Sequence, residues 1–131
     1  MHMQLKSLSS KSRNHSKELH FETCSWLRSI AKMKLDLAAL IMHGSEIFHK
    51  DVSHLMKESL KIQKVINKHE KKISNAFKVF GIYSFSELFA DHEKLRHQMV
   101  FLTYKLENLK LLNMKHNSKY NNCDKNKYSI H

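Results

Sequence analysis

The chain has 131 residues, no proline, two glycines and a formal net charge of +11. A β protein needs a turn every ten residues or so, and this composition cannot supply them. One all-α domain is the expectation from length and composition.

The first 16 residues are basic, rich in Ser and Lys, and carry no acid before Glu18. No apolar core follows among them, so they do not read as a secretory signal. The segment 1–16 is expected to be disordered. A glycosylation sequon spans Asn14 to Ser16 and reads as a chance occurrence.

A helix is expected over about 17–48. Leu19, Trp26, Ile30, Met33, Leu37, Leu40 and Ile47 follow at heptad-compatible steps. Leu27, Leu35, Ala38 and Ile41 widen the stripe, which favours a bundle over a two-stranded coil. The phase slips by one residue between Ile47 and Val52, so a turn is expected near Gly44 to Asp51, with Asp51 as candidate N-cap, the alternative being one long kinked helix.

The second helix is expected over about 52–80, on a seam of Val52, Leu55, Ser59, Ile62, Ile66, His69, Ile73, Ala76 and Phe80. Gly81 suits the residue after a helix end. "SFSE" at 84–87 reads as a capping box with Ser84 as N-cap, Glu87 at N3, and Tyr83 and Leu88 as the staple. The third helix, about 85–117, carries Leu88, His92, Leu95, Met99, Leu102, Leu106, Leu109 and Asn113 on one seam. Short connections make neighbouring helices antiparallel. The expected fold is an antiparallel three-helix bundle with long coiled-coil-like helices, roughly 40–45 Å long. Residues 118–131 form a polar tail expected to be disordered.

No catalytic set emerges: there is no phosphate-cradling glycine loop, no nucleophile elbow and no Cys pair at zinc spacing. Cofactor, metal and enzymatic activity are therefore not expected. Glu93 and His97 share a face but lack a third ligand, and His49 and His54 are poorly spaced. His69 and His92 lie on the seams and read as boundary residues or hydrogen-bonded core histidines rather than as a switch. Phe77, Phe80, Tyr83, Phe85 and Phe89 read as a packed bundle end. Cys24 and Cys123 form no framework, which fits a reducing, cytoplasmic setting. No apolar run approaches the ~20 residues of a membrane span.

The charge raises nucleic acid as an alternative partner. The terminal segments 1–18 and 114–131 each carry +3, and the cations are 20 Lys against 3 Arg, beside nine Asn. Such a bias fits an AT-rich coding sequence, whereas base readers favour arginine. The run "KHEKK" at 68–72 is expected to fan around its helix as a weak patch. Phosphate affinity needs cations gathered on one face.

The remaining signal is the end of the third helix. Leu106, Leu109 and Leu112 form an apolar edge that carries on into Met114 and Tyr120, with the polar Asn113 and Asn117 among them, and the stretch 106–120 suits a helical protein partner. The other reading is the last layer of the bundle. "LKLLNMKHN" at 109–117 is similar to the Leu-x-x-Leu-Asn…Asn motif of the FlgN family of flagellar type III export chaperones. "EIFHKDVSHL" at 46–55 and "QKVI" at 63–66 resemble its earlier motifs, over roughly residues 25–120. The Asn pair is spaced by four rather than three, and Ser118 stands where the family tends to have glycine. The resemblance implies a chaperone that binds helical segments of flagellar hook-associated proteins and delivers them to the export apparatus. It implies binding through the third helix end and tail, as a monomer or weak dimer. A self-associating coiled-coil component is the remaining alternative.

Overall fold

The computed structural model describes the backbone of residues 2–78 and 85–129, with side chains over 17–76 and 86–118. Three α-helices carry it: α1 (His2–His43), α2 (His49–Lys78) and α3 (Phe85–Ser129), with a 3-10 turn at Glu46–Phe48 between the first two. Among the described residues there is no strand. Helical backbone extends past the expected bounds, starting at His2 rather than near Lys17 and ending at Ser129 rather than near 117. Most side chains of 1–16 and 118–131, on which the expected disorder falls, lie outside the described residues. So do Gly81, Tyr83 and Ser84 of the expected capping box.

The polar contacts between helices set the topology. Glu22 reaches Arg96 and Asp36 reaches Lys110, both across 74 positions, so α1 and α3 run parallel. Lys34 bonds Gln63 of α2, while Lys105 of α3 bonds Glu58 of α2, so α2 runs antiparallel to both. The bundle is up-down-up.

The seams meet inside. Trp26, Ile30, Met33 and Leu37 pack with Val52, Leu55 and Ile66 and with Leu95 to Leu109 of α3. Leu19, Ile73, Ala76 and Leu88 form a second, smaller cluster. Burying one such side chain contributes about 1.5–3 kcal/mol. Two buried hydroxyls replace apolar seam residues and satisfy themselves locally. Thr23 Oγ1 donates to the His20 carbonyl at 2.9 Å, and Ser59 Oγ to the Met56 carbonyl at 2.7 Å.

Two expectations for the first turn are corrected. Asp51 is not an N-cap: α2 already starts at His49, and Asp51 lies in its first turn, where a carboxylate complements the helix dipole. Ile47 has left the seam and is exposed, because the 3-10 turn rotates it outward. The turn is held instead by Gly44 and Asn113. A Cβ on Gly44 would stand 2.3 Å from the Leu40 carbonyl oxygen and 3.2 Å from Asn113 Oδ1. Only a bare α-carbon allows this approach.

Candidate functional site

The expected partner-binding residues divide into three groups. Leu106 and Leu109 belong to the core, at 3 % and 7 % exposure. Asn113 is also buried, and its Oδ1 accepts the Ser45 backbone N–H at 3.1 Å. A helix–helix seam thus ends on a side chain that supplies a hydrogen bond to a turn. Phe48 and His116 pack edge-to-face beside it, with centroids 5.9 Å apart. This part of the stretch is the last layer of the bundle. Leu112, Met114 and Asn117 face outward. Tyr120 lies outside the described side chains.

Leu109 and Leu112 line a cleft of about 270 Å³ between α2 and α3, with Asp51, His54, Leu55 and Glu58 opposite. Its apolar floor and partly charged wall would accept an aliphatic side chain from another chain.

A second seam runs along the outside of α3. Val100, Tyr104, Leu111 and Met114 are 64 %, 70 %, 54 % and 65 % exposed, at steps of four, seven and three. At about 100° per residue they share one face, opposite the buried seam. Phe101 and Leu112 flank it, also exposed. α1 has a comparable outer line: Phe21, Cys24, Arg28, Ala31, Leu35, Ala38 and Met42 follow at heptad spacing, all exposed. Leu35 and Ala38, expected to widen the core stripe, therefore face away from the core, while Ile41 lies beside the seam and is exposed near the end of the helix. The outer seams escape notice in the sequence because a stronger stripe on each helix claims the core.

A buried polar layer separates the two core clusters. His69 Nε2 lies 2.9 Å from His92 Nδ1, and His92 Nε2 lies 2.6 Å from Glu22 Oε1. Arg96 donates to both Glu22 oxygens, at 2.7 and 2.9 Å, and also bonds Glu93. Trp26 stacks at a tilt on His92, centroids 4.6 Å apart. The chemistry orders the protons. Arg96, ahead of His92, holds Glu22 below the ordinary carboxylate range. A carboxylate only accepts, so His92 Nε2 donates to it; neutral His92 then accepts at Nδ1, and His69 Nε2 donates. Burial pushes His92 down, against the pull of Glu22. Burial, with His92 beside it, pushes His69 down to about 4. Both imidazoles are therefore neutral near pH 7.

Within this layer the Glu22 carboxylate is committed to Arg96 and His92. An open groove of about 900 Å³ borders it between α1 and α3, lined by Leu19, Phe21, Phe89 and Arg96. Among the described residues no group of three His, Cys, Asp or Glu could hold a metal ion. Among them, too, no helix is long and apolar enough to cross a membrane.

No protein-family model, curated protein or solved structure matches the chain.

Proposed function

We propose that this protein is a non-enzymatic helical binding module of the export-chaperone type. Its client is an amphipathic helix, and the flagellar hook-associated proteins of the FlgN resemblance are the clients that fit. The observation that carries the reading is the outer seam of α3. The bundle core is already complete without Val100, Tyr104, Leu111 and Met114, yet these large apolar side chains share one exposed face. Exposed apolar residues scattered singly need no explanation, whereas a heptad-spaced row is the pattern that accepts a partner helix. The Leu112 cleft continues that surface toward α2. The resemblance assigned binding to this end of the third helix, with Leu112 and Met114 now its exposed members.

A self-associating reading is favoured by one further observation, the outer line of α1, where Ala31 and Ala38 alternate with Leu35 and Met42. Small residues at such steps let two helices approach to about 8 Å.

The test is capture of a synthetic amphipathic helix corresponding to a hook-associated protein's C-terminal segment. The intact chain is expected to form a stoichiometric complex that survives moderate salt. A Tyr104→Glu/Leu111→Glu variant, folded by circular dichroism, is expected to lose it. Equal capture by that variant would refute the α3 seam. Mass that rises with protein concentration in sedimentation, without a client, would support self-association instead.

A further inference from the structure

α2 segregates its charges by face. Its three acids lie on the bundle side: Glu58 pairs with Lys105 of α3, Glu70 lies 3.5 Å from His20 of α1, and Asp51 lines the Leu112 cleft. Its lysines turn outward. Lys50, Lys57, Lys61, Lys64, Lys68 and Lys71 are all exposed. At about 100° per residue they fall on one line opposite the buried seam, with Lys72 at its edge. The lysines of "KHEKK" therefore share a face instead of fanning out. The line is about 31 Å long at 1.5 Å per residue and holds no carboxylate of α2, while Asp91 of α3 shares a groove with Lys68 and Lys72 at one end. Pairs such as Lys57 and Lys61, or Lys64 and Lys68, stand one turn apart, where like charges destabilise a helix. α3 mixes signs at that spacing, as in Glu93 with Arg96 and Glu107 with Lys110.

We propose that this lysine line binds the phosphate backbone of a single-stranded nucleic acid. A row of anions would relieve the repulsion. Lysine is a point charge without arginine's planar fork, so it suits phosphate contact over base reading. The row is straight, so a flexible strand can follow it, whereas a duplex strand winds away after a few phosphates. The line itself holds no aromatic side chain, so the binding is sequence-independent and almost wholly electrostatic. It uses α2 alone and does not rest on the α3 reading.

The probe is a fluorescent 30-nucleotide oligo-dT, titrated between 50 and 200 mM salt by anisotropy. Six phosphate contacts at about 0.7 counterions each predict an affinity loss of about 300-fold over that range. A Lys57→Gln/Lys61→Gln/Lys64→Gln/Lys68→Gln variant keeps good helix formers and should melt no lower than the parent. Its affinity loss over the same range should shrink to about sevenfold. A control carrying Lys119→Gln and Lys125→Gln in the tail should keep the steeper dependence. An unchanged salt dependence in the α2 variant, or no binding by the parent at 50 mM salt, would overturn the proposal. So would tighter binding to the matching duplex, to polyglutamate, or to phosphatidylserine vesicles than to the oligonucleotide.

Discussion

His69 Nε2 and His92 Nδ1 stand 2.9 Å apart, and the two rings tie α2 to α3 inside the bundle. The pair is more than a packed contact. Through His92 it reaches Glu22, so one imidazole touches a side chain from each of the other two helices.

Acid should loosen the bundle. His69 titrates near 6.5 when unfolded and near 4 when folded. Between those values the unfolded chain binds a proton that the folded chain does not. Stability therefore falls as pH drops from 6.5 toward 4, and is indifferent to this group above 6.5. His92, also depressed, adds a loss of the same sign below 6.5. Glu22, depressed too, contributes stability present above its unfolded pKa and lost as pH falls through the lower folded one. Denaturant unfolding at pH 7.5, 6 and 4.5 measures this. A flat profile would mean that neither histidine is buried neutral.

Within the layer, burial should decide the cost of each deletion. His92→Ala removes a ring with 2 % exposure and orphans His69 Nε2, so about 2–4 kcal/mol should be lost. Arg96→Met removes a half-exposed ion pair, and roughly 1 kcal/mol or less should follow. Urea midpoints of the two variants check the order; equal losses would contradict it.

At the first turn, Asn113→Ala should cost about 1 kcal/mol by deleting the acceptor of the Ser45 amide. Hydrogen exchange at Ser45 should quicken, and Asn113→Asp, which keeps an acceptor, should quicken it less. Gly44→Ala drives a Cβ against the Leu40 carbonyl and should cost about 1–3 kcal/mol. A Ser45 amide equally protected in Asn113→Ala would show that the bond does not hold the turn.

The packing of the helices was legible where one stripe dominated. Every residue of the expected α3 seam from Leu88 to Asn113 is buried, because its steps of three and four hold across seven intervals. The α2 seam is buried too, apart from half-buried Ile62 and Phe80, which lies outside the described residues. Thr23 was missed because a hydroxyl between Leu19 and Trp26 interrupts the apolar pattern without interrupting the seam. His69 and His92 were legible as boundary or bonded core residues, and the second reading holds. Their partners Glu22 and Arg96 were not, since the 74-residue register between α1 and α3 is set by tertiary packing. The lysine line was missed for a different reason. Lys68, Lys71 and Lys72 already share an arc of about 100°, but the short run reads as scattered because His69 and Glu70 stand between them on other faces. For the candidate site, the sequence proposes the end of α3 but cannot divide it. Leu109 and Leu112 look alike on paper, yet one closes the core and the other stands at the lip of a cleft.

The most direct measurement of the central claim is calorimetric titration of the amphipathic client helix into the intact chain and into Tyr104→Glu/Leu111→Glu. The intact chain should bind one-to-one with a negative heat-capacity change, and the variant not at all, at unchanged helicity. Undiminished binding by the variant, or none by the intact chain, would contradict the claim.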